Sequence, residues 1–389
     1  MRREKRLTLH RPIKKAKMKK VKIAATLILL MLGGCFNLQS SIAAEGWQMY
    51  RGSPDHTAAV TSASLPAASG KLLWKFCTSG GIDSSPVIYR SVVYIGSDDG
   101  YFYALSEKNG QLLWRATVGA PIKSTPLVYQ NNIYVGCEDN NVYCIDPYTG
   151  KIKWKTPAAD RVSSSCVPVN GLIVCGSWDG NLYALDANSG AVKWKLQTGG
   201  RITSTPAALG STIYASSHDG FLYTISSSDG KVLWKYKTGN KIYSSPMVMN
   251  NLVYFGSWDK EFYALDATSG HLRWKFPAME SYSISPAGSE SRVFVGNDDL
   301  KIYCLAATTG KPLWKTKLNS PTPFLSSSPA VMGHMLYMGS CDGNLYAIDV
   351  HNGAVKWKYK TGKPIISSPA VCPSGVCVGS QDGNLYFVD

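Results

Sequence analysis

The chain has 389 residues, 44% of them hydrophobic and 17% charged, with a formal net charge of +15. This composition excludes an intrinsically disordered chain, and 36 Gly with 22 Tyr favour β structure rich in turns. The charge does not argue for nucleic acid: residues 1–22 hold eleven Lys/Arg against one acid, which leaves only +5 for residues 23–389.

Residues 1–34 read as an export signal, with a positive region followed by the short apolar run Ile23–Gly34. That run is too short for a bilayer-spanning helix, which needs ~20 residues. Met18 offers an alternative start. Leu32-Gly33-Gly34-Cys35 resembles a bacterial lipobox, which implies lipidation of Cys35. The alternative is cleavage near Ala43 or Ala44 and soluble export. Phe36 stands where an inner-membrane retention signal would place Asp. Residues 35–69 are assigned to a tether and N-terminal segment. No second hydrophobic stretch follows, so membrane contact is expected only through the lipid.

From residue 70 the chain repeats itself. Trp74, Trp114, Trp154, Trp194, Trp234, Trp274 and Trp314 are spaced by 40 residues, and Trp357 follows after 43. Each has a Gly four residues earlier. A second landmark, Ser-Ser-Pro or a variant, ends at Pro86, Pro126, Cys166, Pro206, Pro246, Pro286, Pro329 and Pro369. A third is a G-S-x-D-G turn with Asp99, Asp139, Asp179, Asp219, Asp259, Asp299, Asp342 and Asp382. Between landmarks, apolar residues alternate with the strand period and Gly, Asn or Asp marks the turns. Four short strands per ~40 residues describe a β-propeller blade. The chain ends before an eighth Trp strand can follow the eighth Ser-Ser-Pro unit, while Lys71–Phe76 precedes the first. The fold class predicted is all-β: an eight-bladed β-propeller of four-stranded antiparallel blades over 70–389. Its last blade is completed by the strand from residues 70–77. The repeated Trp residues are the expected inter-blade docking groups, each burying ~150–250 Å². The repeating Asp residues are expected to form turns.

Ten cysteines occur. A turn at Asn170-Gly171 sets Cys166 opposite Cys175, and a turn at Ser374-Gly375 would set Cys372 opposite Cys377. Both pairs are expected as cross-strand disulphides in an oxidising compartment. The alternative is four buried thiols.

Comparing equivalent positions gives a candidate binding face. The outer-to-inner connection and the second turn of each blade share one face of a propeller. Five residues before the Pro landmark stand Arg161, Arg201 and Lys241; at the x of G-S-x-D-G stand Trp178, His218 and Trp258. All six belong to blades 3 to 5. Blades 1, 2 and 6 carry Asp98, Glu138 and Asp298 at the second position. A basic, aromatic crescent facing an acidic arc is expected, suited to stacking on a peptide aromatic, a sugar ring or an anion.

Ala184-Leu185-Asp186…Gly190…Trp194 resembles the tryptophan-docking motif of quinoprotein propellers, as do Ala264…Trp274 and Ala347…Trp357. The chain is therefore identified as similar to the family of pyrroloquinoline quinone (PQQ)-like repeats. Trp47–Gly52 is similar to the segment that precedes the propeller in that family. The family includes PQQ-dependent dehydrogenases, which hold the quinone with calcium, and the propeller lipoprotein of the outer-membrane β-barrel assembly machine. The dehydrogenases carry long insertions and adjacent cysteines; this chain has neither. Its His residues are scattered and no catalytic or metal-ligand motif is present, so no catalytic or metal residue is assigned. The expectation is a non-catalytic, monomeric, exported scaffold of the cell envelope, without cofactor. It would be lipid-anchored on the periplasmic side of an outer membrane and bind a protein partner or a small carbohydrate or anionic ligand. The alternatives are a PQQ-dependent dehydrogenase and a sugar- or anion-sensing module.

Overall fold

The computed structural model describes residues 46–60, 69–289, 291–318 and 326–389. The export signal, Met18, Cys35 and the insertion around Ser320–Pro323 lie outside the described residues. The body is all β, arranged as eight sheets whose four blade strands are antiparallel. Blade 1 runs through Val87–Tyr89, Val92–Gly96, Tyr101–Ser106 and Leu112–Thr117, from the centre outwards, and blades 2 to 7 repeat this order. Blade 8 takes three strands from the C-terminus, Ala370–Cys372, Gly375–Gly379 and Asn384–Val388. Its outermost strand is Leu72–Cys77. The seam is bonded at both ends of the strand pair: Gly70 N–H donates to Asp389 O (2.7 Å) and Thr78 N–H to Gly383 O (2.7 Å).

Neighbouring blades dock through the repeated Trp. Each indole lies on the glycine of the following blade, from Trp74 on Gly110 round to Trp357 on Gly70. Those eight glycines all have positive φ, between 68° and 79°, a region that Cβ-bearing residues resist. The chain reverses there, and without a Cβ the next indole can lie against the backbone. At six of the docks the indole N–H is seen to donate across the interface to a backbone carbonyl, as from Trp74 to Glu107 (2.7 Å) and Trp314 to Val350 (2.9 Å), whereas the Trp234 N–H is buried without a partner. Most of these rings are half-buried at the outer rim rather than fully covered. A second seam lies further in. Ile82, Ile122, Val162, Ile202, Tyr282 and Ile365, four residues before the landmark, are buried against Gly379, Gly96, Gly136, Gly176, Gly256 and Gly339 of the preceding blade. This seam anchors the loops that carry the candidate face.

The Asp residues act as expected. In G-S-x-D-G, Asp179 accepts the Asn181 N–H (2.7 Å), the Ala159 N–H (3.0 Å) and the Tyr183 hydroxyl (2.6 Å), and the pattern recurs around the ring. Asp186 accepts the turn N–H groups of Asn188 and Ser189.

Two expectations need correction. Residues 46–60 are not tether. They coil through the centre as a plug, with Trp47, Met49, Ala58 and Val60 buried. Gly46–Trp47 pairs antiparallel with Val87–Tyr89, and Ala59–Val60 pairs parallel with Ala330–Met332. The plug visits the blades in chain order. Carbonyls of Gln48, Pro54, Asp55, Thr57 and Ala58 accept the central N–H of the innermost strand from Val128, Ala208, Val248, Gly288 and Val331, each at 2.8 Å. Those strands are sheet edges, and the plug pairs N–H groups that would otherwise face the channel unbonded. Blade 3 has Pro168 at this position and no N–H to offer.

The second correction concerns the cysteines. All nine described cysteines are free thiols. Cys166 and Cys175 flank the predicted rung next to Val167–Val174, with a thiol–thiol hydrogen bond that, together with burial, pushes Cys166 upwards. Cys372 and Cys377 are not opposed. Cys372 faces Gly375 and Cys377 faces Ala370, because the turn is Pro373-Ser374. Proline presets the φ of a turn, and four and five residues past the landmark is also where Asn170-Gly171 turns in blade 3.

The docking glycines allow a test with an internal control. Gly190 and Gly171 have φ of 72° and 79°, but a Cβ on Gly190 would lie 2.7 Å from the Trp154 ring while one on Gly171 would meet nothing within 4 Å. Gly171→Ala should cost about 1 kcal/mol of backbone strain and Gly190→Ala about 2–4 kcal/mol. The difference, read as urea midpoints, is the packing contribution of one Trp dock.

Candidate functional site

Along each connection, alternate residues before the Pro landmark face different ways. The fourth is buried in the inter-blade seam; the fifth, third and first face the mouth and the channel. The first-position residues form a ring of hydroxyls: Ser85, Thr125, Ser165, Thr205, Ser245, Ser285, Ser328 and Ser368. From Thr125 round to Ser85, each backbone N–H donates to the hydroxyl oxygen of the next blade, seven links of 2.8–3.3 Å. The oxygens are thereby fixed, and their protons remain to donate. The plug forms the floor: Tyr50 donates to Ser285 Oγ (3.0 Å) and lies 3.2 Å from Ser328 Oγ. Above the ring the channel has a cavity volume of about 200 Å³.

The six crescent residues come together on this face. Trp178 is half-buried, with the Arg161 guanidinium 5.1 Å and the Arg201 guanidinium 4.5 Å from its ring centroid. Its indole N–H donates to Ser163 Oγ at 2.7 Å. Trp258 stacks on Tyr243 (4.4 Å, 22° between planes), and His218 packs on the same ring at 4.0 Å. The His218 Nε2 is 2.8 Å from Thr203 Oγ1. Burial first, then the charges of Lys241 and Arg201, lower His218 to about 4, so it is a neutral partner in this stack at pH 7. Arg161, Arg201 and Lys241 are exposed. Trp178, His218 and Trp258 are thus held by neighbouring side chains rather than free on turns.

The acidic arc is less separate than expected. Arg161 lies 3.7 Å from Glu138 in the preceding blade, so one end of the crescent is paired with one end of the arc. At the other end Trp258 N–H donates to Ser283 Oγ (3.2 Å), which donates to Asp298 (2.8 Å). Lys123 interrupts the arc, 3.5 Å from Asp83, and Gln381 also donates to Asp83. Burial, then the charge of Asp83, raises Asp98.

Sequence reasoning missed the third-position column: Asp83, Lys123, Ser163, Thr203, Tyr243, Ser283, Ser326 and Ile366. These line the channel, and Tyr243 is the centre of the aromatic stack. The signal was available, since this column varies between blades while its neighbours hold constant. Tyr50 had no such signal because it lies outside the repeat.

A family model described as the β-propeller of beta-alanine-activating enzyme matches residues 170–389, more than half of the chain. A second, described as outer membrane protein assembly factor BamB, matches residues 58–220. The chain belongs to the PQQ-like repeat β-propeller family. No curated protein sequence matches it. Among solved structures it is similar to BamB from Moraxella catarrhalis, at 18% identity and a TM-score of 0.73, over 82% of this chain and 98% of that one. It is similar to a europium-containing methanol dehydrogenase, at 15% identity and 0.76, over 87% and 91%. It is also similar to a quinohemoprotein alcohol dehydrogenase from Pseudomonas putida HK5, at 13% identity and 0.76, over 90% and 78%.

A quinone with calcium does not fit the side chains in this channel. Calcium takes six to eight oxygen ligands, usually including carboxylates. Among the described residues the channel lining contributes one carboxylate, Asp83, already engaged by Lys123 and Gln381. Among the described residues no group of three or more His, Cys, Asp or Glu is placed to hold a metal.

The plug carries a pH response. His56 is buried and its Nδ1–H donates to Pro246 O (2.9 Å), and burial holds it at about 3, far below its ordinary 6.5. The folded protein keeps it neutral while the unfolded chain protonates it. Stability is therefore complete above pH 6.5 and falls as pH drops towards 3, with a slope approaching about 1.4 kcal/mol per pH unit. His56→Asn, which tolerates the positive φ, should reduce the slope of urea titrations between pH 6 and 4 and leave the part contributed by His218.

Proposed function

We propose that this propeller is a non-catalytic binding and assembly scaffold of the cell envelope, exported and anchored through a lipid on Cys35. It grips a protein partner with the crescent of Arg161, Trp178, Arg201, His218, Lys241 and Trp258. One observation carries this reading: two aromatic platforms, one flanked by two guanidinium groups and one built on Tyr243, are held rigid on a single face. Rigid aromatics and Arg are what protein-binding hot spots use, since little conformational entropy is lost on contact. Around them stands mostly a ring of neutral hydroxyls, which offers hydrogen bonds to a bound partner. The likeness to the β-barrel assembly propeller supports an outer-membrane assembly component as the partner class.

The test is cross-linking and co-purification from native membranes. The triple variant W178A/R201A/W258A should lose the captured partner, about 2 kcal/mol or more of binding energy per anchor, while its melting temperature stays close to the parent's. An unchanged capture profile would reject the crescent as the gripping surface. The second reading, a PQQ-dependent dehydrogenase, draws support from the fold's likeness to quinohemoprotein enzymes. Adding PQQ and calcium should give neither a bound quinone absorbance nor dye reduction with alcohols; either signal would replace the scaffold by the enzyme.

A further inference from the structure

Arg51 is the charge that neither the fold nor the crescent explains. It sits in the plug, 3% exposed. Nε donates to His56 O at 3.3 Å and Nη2 donates to Pro286 O. Nη1 is buried without a hydrogen-bond partner. Among the described residues no carboxylate is paired with it. The plug's own acid, Asp55, is occupied by Ser53 Oγ and the Thr57 N–H. Burial lowers Arg51 only to about 10, so it is a cation at neutral pH. A buried charge without a counter-charge is strongly disfavoured, and proteins that keep one usually pair it.

Arg51 lines a small chamber with Trp47, Tyr50, Ser85, Pro329, Ser368 and Pro369. Its cavity volume is about 10 Å³, close to the space of one water-sized atom. Ser85 and Ser368 belong to the hydroxyl ring. Their oxygens accept the N–H groups of Ser368 (2.9 Å) and Ser328 (3.1 Å), which leaves their protons to donate. The chamber thus combines an unpaired guanidinium N–H, hydroxyl donors and a net positive charge, within a space of one atom. It shares Tyr50, Ser85 and Ser368 with the larger channel above.

We propose that this chamber is an anion site, holding one atom of a small monoanion: a halide, or one oxygen of a carboxylate whose remainder occupies the channel. Water would satisfy the hydrogen bonds but leave the charge uncompensated. The site lies on the axis, apart from the crescent, so neither depends on the other.

The experiment uses the full chain. Crystals soaked in bromide should show anomalous scattering beside Arg51 Nη1, and acetate should displace it. In solution, chloride line broadening should reveal the same site. Ser85→Ala with Ser368→Ala keeps Arg51 and the plug, and should weaken halide binding roughly tenfold, the scale of one charge-assisted hydrogen bond. Arg51→Met should abolish it. The crescent triple variant should bind halide as the parent does. A refined water in the chamber with no bromide peak, or line broadening unchanged in the double Ser variant, would overturn the proposal. Acetate density without bromide would support the carboxylate source over the halide.

Discussion

The contact on which the rest depends is an indole laid on a glycine. A propeller blade has two exposed faces and cannot hide either alone. Eight Trp–Gly docks cover the outer rim of those faces, and the inner seam of Ile82, Ile122 and their equivalents covers the rest. Both seams must close on themselves. They do so where Trp357 meets Gly70 and Gly379 meets Ile82. The strand that supplies Gly70 also completes the last sheet, so one junction satisfies the edge hydrogen bonds and the packing together.

Closure leaves a channel, and a channel exposes eight edge strands to each other. The chain manages this in two ways. The plug lends its carbonyls to the innermost N–H groups, and the hydroxyl ring accepts the N–H groups just above them. Small hydroxylated residues suit the second task because they bond from blade to blade around the axis without filling it. The result is a cup with a protein floor and a rim of variable residues. Much of its wall is a ring of hydroxyls fixed by the backbone.

Proteins with different roles share this architecture: an outer-membrane protein assembly factor, a methanol dehydrogenase, a quinohemoprotein alcohol dehydrogenase and a computationally designed protein that this chain matches over 82% of its length at 16% identity. The fold by itself therefore decides no activity. Here the rim departs from the repeat over three adjacent blades. The departure is coherent, since Trp178, Tyr243 and Trp258 each find a partner built from neighbouring blades.

Periodicity alone determined the blade number, the closing strand, the docking Trp, the turn Asp and the face on which Arg161, Trp178, Arg201, His218, Lys241 and Trp258 meet. Each of these repeats at a fixed spacing, so eight copies of a local rule make it legible. What the repeat did not contain, the sequence could not announce. The plug is a single copy with short strands, and its hydrogen bonds reach up to about 270 residues away, from Ala58 to Val331. Nothing near Arg51 in sequence says that it is buried, because its surroundings are assembled from four or more distant blades. Tyr243 became central only when folding set it between His218 and Trp258. The Cys372 register turned on Pro373, a local choice that outward counting from a glycine misread. Local spacing specifies elements that repeat; only the closed tertiary structure can specify what lies on its axis, since the axis belongs to no single blade.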